Sequence, residues 1–126
     1  MQSPLRCLAI DDDKLFLRKI SVYMEDIEWL NLVDTANHPV RGAKAIFDVQ
    51  PNIVLLDMEM PHIDGNYLVD WVSPRLEKME NAPHIIVVSS LDFAPEDRLP
   101  GIKGYINKSH VTSGEALAKL IKDIID

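Results

Sequence analysis

Several apolar runs of this sequence end directly on polar groups able to do chemistry. Asp11, Asp12 and Asp13 follow "LRCLAI", Asp57 follows "NIVLL", Ser89 closes "HIIVVS", and Lys108 follows "GYIN". An acid at the tip of a buried strand is costly unless something nearby favours its charge. Were Asp11, Asp12 and Asp57 brought together, they would repel one another and one would hold a proton, unless a divalent cation neutralised them. Oxygen-only ligands suit a hard ion, and Mg²⁺ binds through one or two carboxylates while keeping positions for water and phosphate. A lysine and a hydroxyl opposite such an ion form a cradle for an anion. The combined chemistry is phosphoryl transfer, with Asp57 as the acceptor and Lys108 and Ser89 around the transferred group.

The elements needed to position these groups follow from the apolar period. "LRCLAI" (5–10) is a short strand, and Phe16, Ile20, Tyr23, Met24 and Ile27 then recur at the spacing of one helix face, with Asp13 as the N-cap. "WLNLVDTA" (29–36) alternates as a strand, and a helix from about Pro39 carries Ala43, Ile46 and Phe47 inward. "NIVLL" and "HIIVVSS" are apolar on both faces. Between them Leu68, Val72, Leu76 and Met79 mark a third helix, which Pro74 should kink or split. "GYIN" (104–107) is a brief fifth strand. The last helix is expected to begin at a capping box, Thr112 with Glu115 three residues on, and to bury Leu117, Leu120, Ile121 and Ile124. Strands buried on both faces and joined by helices imply an α/β doubly wound parallel sheet of five strands with about five helices, whose working site lies outside the carboxyl ends of the strands.

Bulk properties narrow the function classes. The 126 residues fit one domain, 1–126, and no apolar run reaches the roughly 20 residues of a membrane span. The N-terminal apolar stretch reads as a strand rather than a signal peptide, which favours the cytoplasm. Thirteen Lys and Arg against twenty Asp and Glu give a net charge of −7, unfavourable for direct nucleic-acid binding. Cys7 excludes an intrachain disulfide and reads as a core residue. His38, His62, His84 and His110 lack metal-ligand spacing. Tyr67 and Trp71, four apart, shield the helix and sheet in the plainer reading and form a contact patch in the other.

Taken together and in this order, the residues resemble the receiver domain of two-component response regulators, over essentially the whole chain. The resemblance implies a flavodoxin-like strand order and makes Asp57, in "LLDMEMPHIDG", similar to the phosphoacceptor. It implies Asp11 and Asp12 as the acidic pair at a Mg²⁺ site, Asp12 being the direct ligand, with the backbone carbonyl of Glu59 completing the metal shell. Ser89 resembles the switch hydroxyl, followed by the small Ser90; Tyr105 resembles the switch aromatic and Lys108 the family's lysine. A phosphoryl group on Asp57 is then expected to draw Ser89 toward its oxygens and leave space for Tyr105. The implied partners are a histidine kinase or a histidine phosphotransfer protein, with an effector domain or self-association as the output. The domain accepts phosphate and is not itself an enzyme beyond self-phosphorylation from small phosphodonors and self-dephosphorylation.

Two departures and two alternatives accompany this resemblance. The family commonly follows its lysine with proline; Ser109 stands here, so the Lys108–Ser109 bond is either trans or a costly cis. The segment "LDFAPEDRLPGIKG" holds two prolines and two glycines where a full fourth helix is usual, so that helix should be short or irregular. A Mg²⁺-dependent phosphatase of the haloacid dehalogenase type also uses an aspartyl nucleophile and a lysine, and "DDD" formally permits its DxD motif. Its cap and later acidic motif have no counterpart. A flavin or nucleotide carrier lacks its phosphate loop after the first strand. Singly, each motif is plain: a solvated helix cap, a strand-end hydroxyl, a rim tyrosine, a solvated lysine, and Glu59 as an exposed acid at the pocket mouth.

Overall fold

The computed structural model describes residues 3–59, 75, 78, 80–91 and 101–126. Five parallel strands, β1 (Leu5–Ile10), β2 (Leu30–Ala36), β3 (Ile53–Asp57), β4 (His84–Ser89) and β5 (Ile102–Asn107), form one sheet in the order β2-β1-β3-β4-β5. This is the flavodoxin-like order implied by the resemblance. The helices with described bounds are α1 (Lys14–Glu25), α2 (Pro39–Val49) and α3 (Gly114–Ile125), with a 3₁₀ turn at Lys108–His110; Arg75 is helical as well. The stripe Leu68, Val72, Leu76, Met79 with Pro74, the pair Tyr67 and Trp71, and residues 92–100 of the expected short fourth helix lie outside the described residues.

The period-two pattern of the central strands divides the core in two. From β1 and β3, Cys7, Ala9, Ile53 and Leu55 face α1 and α3, packing with Phe16, Ile20, Met24, Leu117 and Ile121. Their neighbours Leu8, Ile10, Val54 and Leu56 face the other way, against Ala43 and Ile46 of α2. The two layers explain why β3 is buried at all five positions. Gly42 lets α2 press on β1: a Cβ there would lie 2.6 Å from Ile10 Cγ2. The Cys7 thiol, among apolar neighbours, is pushed up to about 12 by burial and is an inert core group.

Local signals set most helix ends. Asp13 Oδ1 accepts from the backbone N–H of Leu15 (3.0 Å) and Phe16 (3.2 Å), as expected of an N-cap. Pro39 opens α2, and His38 Nδ1 accepts from Val40 N at 3.2 Å. Two readings are corrected. The cap of α3 is Ser113, not Thr112: Ser113 Oγ accepts from Ala116 N at 3.0 Å, while the N–H of Thr112 is committed to His110 O at 3.1 Å in the preceding turn. The fifth strand begins at Ile102, two residues before "GYIN", because Ile102 pairs with Ile85. Gly104 is tolerated inside it since Ile124 of α3 occupies the space of a Cβ, 2.6 Å away at Cγ2.

Candidate functional site

The carboxyl ends of β1, β3, β4 and β5 converge, and the buried polar residues of the described chain are Asp11, Asp57 and Ser89, at 3%, 2% and 1% exposure. Each follows from its place: Asp57 and Ser89 are the last residues of apolar strands and Asp11 is the residue just after one, so all three emerge at the end of the sheet while still buried. Parallel register aligns Asp57 with Val88 and Ser89 with Asn107. One carboxylate oxygen each of Asp11, Asp12 and Asp57 lie within 4.8 Å of one another, with Asp12 on the exposed side. The three acids singled out from the sequence are therefore brought together.

Lys108 closes the pocket from β5. Its Nζ lies 2.8 Å from Asp11 Oδ2 and 3.8 Å from Asp57 Oδ2, so its closer partner is Asp11. Burial works to lower the lysine, but the bond to Asp11 and the charges of Asp11 and Asp57 outweigh it and hold Lys108 above its ordinary range. No peptide bond among the described residues is cis, so Lys108–Ser109 is trans. The turn is fixed instead by Asn107, whose Oδ1 accepts from Ser109 N at 2.9 Å and from Ser109 Oγ at 2.8 Å. The lysine ammonium also sits over the Phe16 ring, 4.7 Å from its centroid. Sequence reasoning took Phe16 only as a core residue of α1; its position three residues after the Asp13 cap was the available signal.

Asp57 is uncomfortable in this pocket without a further cation. Burial raises its carboxyl, the charge of Asp11 adds to the rise, and the Glu59 N–H and Lys108 pull it down; the result is a group pushed up to about 7. The Glu59 N–H donates to Asp57 Oδ1 at 3.0 Å, and the Asp13 N–H to Asp11 Oδ1 at 2.9 Å. These bonds leave other carboxylate oxygens of an all-oxygen, net-negative set facing one another. Such a set fits a hard divalent cation, and a cation would relieve the penalty that keeps Asp57 partly protonated.

The other wall of the pocket was not foreseen. The Ser89 hydroxyl donates to Glu59 Oε1, and the Ser90 hydroxyl donates to Glu59 Oε2 at 2.6 Å. Ser89 Oγ in turn accepts from Leu91 N at 3.1 Å. Burial works to raise Glu59, but the two hydroxyl bonds and the Lys108 charge prevail and hold its carboxyl below the usual range. Glu59 is thus exposed, as its plain reading had it, yet held by two side chains. Tyr105 lies half-buried on β5, opposite Val87 in register.

Comparison with known proteins gives a consistent picture. Residues 7–122 match the family described as the response regulator receiver domain. The chain is 25% identical over 88 residues to the transcriptional regulatory protein BtsR of Escherichia coli (strain K12), covering 70% of this chain and 35% of that protein. It therefore spans about a third of that relative's length. In fold it is similar to the response regulator domain of Thermotoga maritima CheB, with TM-score 0.77 and 18% identity over 96% of each chain. It is also similar to a chain in the complex of the CheA3 P1 domain with CheY6 from R. sphaeroides, with TM-score 0.73 and 23% identity over 98% of each chain.

Proposed function

Because the chain belongs to the response regulator receiver domain family, we propose that it accepts a phosphoryl group on Asp57 from a phosphohistidine of a histidine kinase or phosphotransfer protein. The observation that carries this reading is the meeting of three carboxylates, Asp11, Asp12 and Asp57, with Lys108 at one sheet edge. Asp11, Asp12 and Asp57, with the backbone carbonyl of Glu59, would hold Mg²⁺. Bound there, the ion supplies electrostatic stabilisation of the oxygens of the transferring group.

The chain's own residues account for the rest. The ionised Asp57 carboxylate forms a new P–O bond as the donor's P–N bond breaks; the leaving imidazole nitrogen keeps the bonding pair and takes up a proton. Lys108, anchored by Asp11 and backed by Phe16, points a positive charge at the space beside Asp57, where the new phosphoryl oxygens arrive. Ser89 is the hydroxyl that reads the phosphoryl group, and Tyr105 follows its movement. The role is that of a regulated phosphoacceptor, its output carried by an effector domain or by self-association.

The experiment is incubation with acetyl phosphate and Mg²⁺ followed by intact mass. One phosphoryl adduct, absent from Asp57→Asn and from a chelated sample, is the expected result. Sustained turnover of many phosphate esters without dependence on Asp57 would overturn the reading in favour of a phosphatase.

A further inference from the structure

We infer that the Glu59 carboxylate is a latch on the switch hydroxyl: it holds Ser89 away from the phosphorylation site, with Ser90 as its second anchor. The inference rests on the receiver reading above. A serine hydroxyl has a single hydrogen to donate. Ser89 has given that hydrogen to Glu59 Oε1, while its oxygen accepts from Leu91 N. A phosphoryl oxygen on Asp57 can receive the hydrogen only after Glu59 releases it. The release is opposed by a second bond, because the same carboxylate takes the Ser90 hydroxyl at 2.6 Å through its other oxygen.

Glu59 also connects the two sites involved. Its backbone N–H holds Asp57 Oδ1 at 3.0 Å, and its side chain holds Ser89, so one residue spans the acceptor and the switch. A phosphoryl group on Asp57 adds negative charge and three strong acceptor oxygens next to this carboxylate. It both repels Glu59 and competes for the Ser89 hydrogen. The unphosphorylated state is thereby stabilised by a contact that phosphorylation has to break, and Glu59 with Ser90 sets how much phosphoryl binding is needed to turn Ser89 over.

The test titrates beryllofluoride, a mimic of the phosphoryl group, at saturating Mg²⁺ into the whole chain, read by calorimetry and by the Ser89 and Tyr105 amide signals in NMR. Charge-assisted hydrogen bonds at an exposed carboxylate predict that Glu59→Ala tightens binding by about ten-fold and Ser90→Ala by about three-fold. Ser90→Ala leaves the charge of the pocket unchanged, so its gain separates a latch from simple repulsion. In a Ser89→Ala background the further change Glu59→Ala should gain clearly less than it does in the wild type, keeping only the part due to relieved charge repulsion. An equal gain in both backgrounds, or wild-type affinity in Ser90→Ala, would overturn the latch. If the wild type itself bound no beryllofluoride, the receiver reading would fail and the latch with it; a wild type that binds, with unchanged Glu59 variants, removes the latch alone.

Discussion

The two walls of the pocket are built on opposite principles. On the side of β1 and β5, Asp11, Asp57 and Lys108 are mostly shielded from water and compensate one another by charge, with Phe16 behind the amine. On the side of β4, an exposed acid, Glu59, is held by the neutral hydroxyls of Ser89 and Ser90. Low local dielectric makes the first wall strong and intolerant of loss, as suits a place where charge is stabilised. On the second, the Ser89 hydroxyl is buried but Glu59 and Ser90 are exposed, so the carboxylate's bonds compete with water at the acid. Within a single pocket, one wall is thus held by paired charges and the other by hydroxyl bonds to an exposed carboxylate.

Removing the central cation should separate the walls most sharply. Lys108→Ala leaves Asp11 and Asp57 facing each other uncompensated; metal-free stability at neutral pH should fall by on the order of 2 kcal/mol, and phosphorylation by acetyl phosphate should slow about a hundred-fold. Urea melts with and without Mg²⁺ check the first expectation and intact-mass time courses the second. A variant as stable in chelator as the wild type would show that Lys108 does not compensate the acids.

Titration gives the next largest effect. Asp57 is raised from 3.8 to about 7, so the folded protein keeps a proton that the unfolded chain has lost. The destabilisation is absent below the unfolded value, grows as pH rises between the two values, and is complete above the folded one. In chelator, wild-type stability relative to Asp57→Asn should therefore decline by on the order of 2 kcal/mol between about pH 4 and pH 8, and Mg²⁺ should remove the decline. Parallel pH profiles of the two proteins would contradict it. Glu59, lowered by its hydroxyl partners, has the opposite sign: its contribution is present above its unfolded value and fades as pH falls through the folded one.

Smaller effects grade the walls further. Phe16→Leu keeps the core filled but removes the ring under Lys108, and should cost about 1 kcal/mol by thermal melting while slowing phosphorylation a few-fold. Ser90→Ala, on the exposed wall, should change stability by less than about 0.5 kcal/mol. A larger loss in Ser90→Ala than in Phe16→Leu would reverse the contrast between the two sides.

Strand and helix alternation, the caps at Asp13 and Pro39, and the acids at the ends of β1 and β3 were all legible, because each depends on neighbours within a few positions. The same locality explains the near misses. Thr112 and Ser113 are both good caps, and only the turn that engages the Thr112 N–H chooses between them. Gly104 looks like a strand's beginning until Ile124 is seen to fill its missing side chain.

The sequence by itself determined that carboxylates, hydroxyl and lysine would stand at one edge of a five-stranded parallel sheet, because hydrophobic period and chain order fix where strands end. Tertiary structure decided how those groups pair: Lys108 nearer to Asp11 than to Asp57, Phe16 beneath the ammonium, and Glu59 turned to Ser89 and Ser90 across separations of 30 and 31 residues. Such pairings are set by strand register, side-chain rotamer and the competition of several donors for one oxygen. None of these has a period along the chain.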